Sequence, residues 1–277
     1  MPFHPIALGA LYPGIERGLS ADILATRALG GEAYPICTSL IVAGDGVVTD
    51  LLEVPSDTVS AQLEHVFNVN APNAARVGIL GSPATVDIAF RHLGQHLSGP
   101  LILDLTLSGP SGEDLADGKV RELLAERMPL PDLVTIRAQD AQLLVGMEIG
   151  TLDDAQVAVQ RMHKRGARRV LLRCGAIGQE FSGPEDGDPF HNDLYYDGED
   201  FALFEAPPLH RPHVTGASSA LTMAILKALV DGDAMPDAIQ AGKAFVSQSL
   251  YRASGDESAR APAYFAAASH LFASSER

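Results

Sequence analysis

Apolar runs that alternate with helix-like segments place the strongest constraint on the fold of this chain. Four such runs occur, at residues 75–80, 100–105, 132–136 and 169–174. Within them, residues 101–103 and 170–172 are apolar at every position, which is typical of central parallel strands covered by helices on both faces. Strands that alternate with helices in this way predict an α/β fold with a mostly parallel, doubly wound sheet.

The flanking segments extend this pattern. Further strands are predicted at residues 5–11, 34–42, 47–54, 193–196 and 201–205, of which the second and third form one hairpin and the last two another. Helices are predicted at residues 20–29, 83–97, 115–127, 138–145, 152–165, 220–230 and 236–251, with one more starting at residue 55. Ser20 is the expected N-cap of the first helix, and Val157, Val159 and Met162 are the expected apolar side of the helix at 152–165.

Composition narrows the class of protein. The 277 residues are 46% hydrophobic, enough for a full core, and show no repeat or compositional break. We therefore expect one domain over residues 1–252 and a tail over residues 253–277 that is helical at 262–272. The net charge of −15 argues against nucleic acid as a partner, because phosphate-backbone binding needs a basic face.

The sequence also bears on location. No apolar run reaches the roughly 18 residues that a membrane span needs, and the N-terminus lacks a signal-peptide pattern. We expect a cytoplasmic protein with no membrane partner. Cys37 and Cys174 lie in apolar runs and are expected to be buried thiols.

A stretch of small residues precedes the apolar helix at 220–230. Residues 214–221 read VTGASSAL and follow a proline-rich approach at 207–212. The first-turn N–H groups of a helix are unpaired and the positive end of the helix dipole lies behind them, so such a loop suits a phosphate. An ordinary serine-capped helix start is the alternative interpretation.

Ordered motifs suggest a family. They lie at residues 18–23, 28–30, 55–63, 77–81, 103–107, 193–198, 204–207 and 215–221. Together they resemble the ribokinase-like small-molecule kinases, most of all the hydroxymethylpyrimidine/phosphomethylpyrimidine kinases of thiamine synthesis, with pyridoxal kinases next. The resemblance implies a ribokinase-like fold with a small β-hairpin lid, ATP and Mg²⁺ as cofactors, a small heterocyclic substrate and a homodimer.

The resemblance also implies roles for individual residues. The catalytic anion hole, whose N–H groups would stabilise the transferred phosphoryl group, would comprise Gly216, Ala217, Ser218 and Ser219. Substrate contacts would come from Asp22, Ala43, Ile79 and Thr106. Nucleotide contacts would come from Arg137, Arg173 and Thr215, and magnesium contacts from Asp104 and Asp140. Without the resemblance, Asp22 is equally a first-turn helix acid, Asp104 a turn residue and Arg173 a solvated charge at a strand end.

Several positions depart from the family pattern. Ser219 stands where the family has Asp or Cys, and a serine hydroxyl cannot take a proton at neutral pH without a base of its own. Ser218 replaces a glycine, and Ala43 replaces a glutamine that reads a pyrimidine edge. Arg137 and Asp140 stand in place of an Asn and a Glu that serve the magnesium–nucleotide.

These departures leave two hypotheses: an ATP-dependent kinase, or a catalytically impaired relative that binds a small ligand. His210 and His213 precede the loop and are either polar loop residues or a base for Ser219. A hydrolase triad is disfavoured, because the sequence lacks a Gly-x-Ser-x-Gly elbow. It also lacks a Walker loop and a Rossmann glycine motif after a strand.

Overall fold

A computed structural model describes residues 1–13, 17–44, 47–175, 177, 191–206 and 216–253, with no side chains for residues 191, 206 and 250–253. The strands are β1 (Pro5–Leu11), β2 (Tyr34–Gly44), β3 (Val47–Glu53), β4 (Ala74–Val77), β5 (Leu101–Leu105), β6 (Leu133–Arg137), β7 (Val170–Gly175), β8 (His191–Tyr196) and β9 (Phe201–Ala206). The helices are α1 (Gly18–Ala28), α2 (Ser56–Val69), α3 (Pro83–His96), α4 (Gly118–Glu126), α5 (Ala138–Val145), α6 (Leu152–Lys164), α7 (Ala217–Asp231) and α8 (Met235–Ala253).

All nine of these strands form one sheet, in the order β3-β2-β1-β4-β5-β6-β7-β8-β9. Parallel pairing joins the six central strands, which lie in the order β2, β1, β4, β5, β6 and β7. The hairpin strands β3, β8 and β9 pair antiparallel at the two edges. The predicted mostly parallel α/β fold and both predicted hairpins are therefore confirmed.

Helices cover both faces of the sheet, which explains why residues 101–103 and 170–172 of the central strands are apolar at every position. In β5, Leu101, Leu103 and Leu105 point into the core beneath α2 to α6, while Ile102 points into the core beneath α1, α7 and α8. Successive side chains of a strand alternate between faces, so a strand between two helix layers is apolar on both faces except where a buried polar side chain is paired. Each of these four side chains is buried.

Some local predictions were wrong. Ser20 lies inside α1, whose N-cap is Arg17 and has no side-chain capping bond. α4 begins at Gly118 rather than residue 115, because the Asp117 carboxylate accepts a hydrogen bond from the Val120 N–H and caps the helix there. Val157 is exposed, whereas Val159 and Met162 are buried as predicted, together with Ala155 and Ala158.

The two thiols differ. Cys174 is buried as predicted, and burial raises its pKa to about 11, whereas Cys37 is only partly buried.

The predicted tail at 253–277 lies outside the described residues except for Ala253, which ends α8. Within the described ranges, no helix combines the length and the hydrophobicity required to cross a bilayer.

Candidate active site

A cavity of about 270 Å³ lies where the parallel strands end and α7 begins. Ligands of open α/β sheets bind outside the carboxyl ends of the strands, so this is the expected place for a site. Seven of the predicted site residues line the cavity: Ile79, Thr106, Arg137, Arg173, Gly216, Ser218 and Ser219. The structure therefore brings together residues that are up to 140 positions apart in the chain (219 minus 79).

The start of α7 faces this cavity, and its first-turn N–H groups have no partner within the helix. Gly216 is the N-cap residue, with φ +77°, a left-handed conformation that favours glycine, and α7 has no side-chain cap. The hydroxyl of Ser218 instead donates to Asp104 Oδ2 at 2.6 Å. The serine-capped alternative is therefore wrong, and no side chain of the described residues caps the first turn, whose N–H groups can thus bind an anion.

A buried charge network lies directly beneath the cavity. Arg76 donates to Asp22 Oδ2 at 2.8 Å and to Asp104 Oδ2 at 2.5 Å. Arg173 reaches the other oxygen of Asp104 at 3.1 Å. Thr135 donates to that same oxygen at 2.6 Å. The two acids are fully buried, so they need these cations to stay charged.

The two buried acids have opposite pKa shifts. Burial alone would raise the pKa of Asp104, but Arg173, Arg76 and the hydroxyls of Ser218 and Thr135 together hold this pKa well below its usual value. Burial raises the pKa of Asp22, and neither Arg76 nor the Ser219 hydroxyl next to it fully offsets that effect. Asp104 is thus a permanent anion, whereas Asp22 holds a proton more readily.

A third acid, Asp140, holds a third arginine, Arg137. Asp140 is fully buried, and its Oδ1 accepts the hydroxyl hydrogen bond of Ser108 at 2.5 Å. Its Oδ2 accepts from Arg137 Nε at 2.8 Å and from Arg137 Nη2 at 2.7 Å. Arg137 Nη2 also donates to the Ser108 carbonyl at 2.7 Å. These contacts fix the guanidinium of Arg137 at the edge of the cavity.

The predicted magnesium role of Asp104 and Asp140 does not fit these contacts. A carboxylate offers about four acceptor positions, and Asp104 already accepts four hydrogen bonds, two on each oxygen. Asp140 is held by Arg137 and Ser108. Within the described part of the chain, no group of three or more His, Cys, Asp or Glu side chains could hold a metal ion.

Other predicted residues lie away from the cavity. Asp22 is fully buried on α1 and paired with Arg76, so it offers no surface to a substrate. Ala43 packs against the small apolar cluster around Ile79 and is not among the lining residues. Ala217 is partly buried in the first turn of α7, also outside the lining. Thr215, His210 and His213 lie outside the described residues.

Four polar residues of the site were not predicted: Tyr12, Arg17, Arg76 and Ser108. Arg76 had a usable signal, because it is the one charged residue of the short strand β4, which is otherwise Ala and Val. A charge in a buried strand needs a buried partner, so Arg76 pointed to an acid near the strand. Arg17 and Ser108 lie outside the helices and strands and carried no such signal.

We predict that Gly18→Ala destabilises the protein by about 2–5 kcal/mol, from left-handed strain together with overpacking. Gly18 lines the cavity with φ +56°, and a Cβ there would lie 2.2 Å from the Ala10 carbonyl oxygen. The measurement is the free energy of unfolding in urea. Gly118→Ala is the matched control, because a Cβ at Gly118 meets nothing within 4 Å. Equal stability of the two variants would contradict the close approach seen at Gly18.

Comparison with known proteins identifies the family. The family model described as phosphomethylpyrimidine kinase matches residues 16–262. A hydroxymethylpyrimidine/phosphomethylpyrimidine kinase of Mycobacterium bovis is 32% identical over 253 residues, covering 90% of this chain and 88% of the relative. The relative of the same name from Aquifex aeolicus is 24% identical, covering 84% of this chain and 88% of the relative.

Solved structures show the same fold. The pyridoxal kinase of Staphylococcus aureus in complex with AMP-PCP superposes with a TM-score of 0.79 at 19% identity, covering 90% of this chain and 88% of that one. The phosphomethylpyrimidine kinase of Clostridium difficile gives a TM-score of 0.75 at 18% identity, covering 90% and 99%. The family model matches most of this chain, and the relative from Mycobacterium bovis is 32% identical to it. This chain therefore belongs to the phosphomethylpyrimidine kinase family.

Proposed function

We propose that this protein transfers the terminal phosphoryl group of ATP to the hydroxymethyl group of a pyrimidine, as the names of its relatives suggest for them. The observation that carries the proposal is the start of α7, which opens without a side-chain cap onto a cavity lined by arginines. Phosphoryl transfer depends mainly on positioning and on stabilising the charge of the transferred group. N–H groups and guanidinium groups supply that stabilisation.

The reaction joins the substrate oxygen to the terminal phosphorus of ATP, breaks the bond between that phosphorus and the bridging oxygen, and releases a proton from the hydroxyl. Ser219 lines the cavity, and the carboxylate of Asp22 lies behind it. We assign the proton to this pair, with the serine hydroxyl passing it to Asp22. The raised pKa of Asp22 makes this carboxylate a stronger base than an ordinary aspartate.

Pyridoxal is the alternative substrate, because pyridoxal kinases share the fold at TM-scores of 0.76 to 0.79. A second function, ligand binding without turnover, is favoured by a specific observation: no carboxylate lines the described part of the cavity. An acid in direct contact with the attacking hydroxyl is thus missing there. The expected homodimer and cytoplasmic location stay predictions.

The test is incubation of the purified full-length protein with magnesium–ATP and either hydroxymethylpyrimidine or pyridoxal. We expect a phosphate ester of one of them, detected by mass spectrometry, together with stoichiometric ADP. A rise in melting temperature with either compound, without product, would instead support the binding function. If neither compound gave a product or a shift in melting temperature, both functions would be rejected.

A further inference from the structure

The cavity pairs an arginine lining with acids that lie beneath it. Arg17, Arg76, Arg137 and Arg173 line it, while Asp22, Asp104 and Asp140 are fully buried and absent from the lining. A cation site has the reverse arrangement, with carboxylate oxygens facing the ligand. The described surface of this cavity is therefore built for an anion.

The buried acids have no acceptor position to spare for a metal ion. All four acceptor positions of Asp104 are filled by Arg76, Arg173, Thr135 and Ser218. A hydrated magnesium ion would need a free acceptor as much as a directly bound one does, because its waters donate hydrogen bonds. Asp104 could serve such an ion only by giving up one of these four hydrogen bonds.

The arginines, in contrast, retain free donors. Each guanidinium has five N–H groups in a planar fork, which matches the geometry of phosphate. Arg173 uses Nη2 for Asp104, and its Nε is buried without a hydrogen-bond partner among the described residues. Arg137 uses Nε and Nη2 for Asp140 and Ser108, and about a third of its side chain remains exposed at the cavity.

We infer that Asp104 and Asp140 are positioning residues that hold Arg173 and Arg137 toward the cavity, and that these two guanidinium groups bind the phosphate groups of a nucleotide directly, with no metal ion ligated by the chain. This inference rests on the proposed function, since it concerns the same cavity. In this role the two acids orient the guanidinium groups of Arg173 and Arg137, and they do not bind a metal ion.

The first experiment measures ADP binding by calorimetry, with EDTA and then with magnesium. We expect the two dissociation constants to agree within about threefold, less than 1 kcal/mol. Manganese alone should give the full spectrum of the free ion by electron paramagnetic resonance in the presence of the protein. ADP binding that needs magnesium, ADP that does not bind at all, or manganese that binds to wild type but not to Asp104→Asn would each overturn the inference.

The second experiment tests the positioning role. In EDTA, Arg137→Gln and Arg173→Gln should each weaken ADP binding about 10- to 100-fold, the range expected for one charged hydrogen-bonding group. Arg127→Gln is the control, because Arg127 pairs with Asp87 on the surface, outside the cavity. It should bind ADP like the wild type.

Asp140→Asn should also weaken ADP binding, although Asp140 is buried away from the cavity. The Arg137→Gln/Asp140→Asn double variant should lose no more affinity than Arg137→Gln alone, because Asp140 acts through Arg137. Additive losses, or a loss at Asp140 that appears only with magnesium, would contradict this role. Phosphorylation is assayed separately: ADP binding in EDTA without turnover would reject the proposed function alone, and turnover with manganese bound at Asp104 would reject this inference alone.

Discussion

Replacing Arg76 by methionine should cost about 3–5 kcal/mol of stability, the range for removing one partner of a buried ion pair. Arg76 is buried and bonds to Asp22, Asp104 and the Thr222 hydroxyl at once. Methionine fills part of the space but leaves Asp22 without a cation and Asp104 with only Arg173. The measurement is the free energy of unfolding in urea at pH 7. Arg127→Met removes an exposed pair and should cost less than about 1 kcal/mol.

The pH dependence gives this prediction a second readout. Burial already raises the pKa of Asp22, and loss of Arg76 should raise it further. A folded-state pKa above the unfolded value of about 3.9 means that folding takes up a proton, so the variant gains stability relative to the wild type as the pH falls toward 5. The destabilisation should therefore shrink between pH 7 and pH 5. A constant difference across this range would contradict the unpaired charge as its cause.

In the wild type the pKa of Asp104 is shifted in the opposite direction to that of Asp22. Its folded-state pKa is depressed by Arg173 and Arg76, so it contributes stability that is present above the unfolded pKa of about 3.9 and is lost as the pH falls below that value. The destabilisation by Arg76→Met should change between pH 7 and pH 5, which is above the pH at which Asp104 loses its contribution. One pH series of unfolding free energies therefore distinguishes the contributions of the two acids.

Much of the fold could be predicted because it depends on local patterns. The alternation of Ile102 with Leu101 and Leu103 between two cores requires an apolar run, and that run is visible in the sequence. The apolar helix α7 was predicted for the same reason, although it starts at Ala217 rather than at residue 220. Helix starts were less predictable, as Arg17 rather than Ser20 caps α1.

The charge network could not be predicted, because it depends on the order of strands in the sheet. Asp22 and Arg76 are 54 positions apart, and Arg76 and Asp104 are 28 apart. They meet because β4 lies between β1 and β5 and packs beneath α7. The family resemblance gave Asp22 and Asp104 ligand-binding roles, whereas the structure pairs both with the buried Arg76 and leaves both out of the cavity lining.

Ser219→Asp should raise the turnover number about 100-fold or more, within the range that a well-placed general base contributes. Ser219 lines the cavity as the third residue of α7, where a carboxylate is favoured by the helix dipole. It also lies next to Asp22, so two carboxylates would share one site and their mutual repulsion would raise the apparent pKa of the pair. A base whose pKa approaches neutrality is better matched to a proton released at pH 7.

The measurement is the turnover number for the better of the two substrates across pH 5 to 9. Ser219→Asn is the matched control: it has the size of aspartate but no basic oxygen, so it should not exceed the wild-type rate. The rising limb of the pH profile should lie at a different pH in Ser219→Asp than in the wild type, because a new base with its own pKa must be deprotonated to act. If Ser219→Asp and Ser219→Asn were equally slow, Ser219 would not occupy the base position, and the proton would leave by a route that avoids α7.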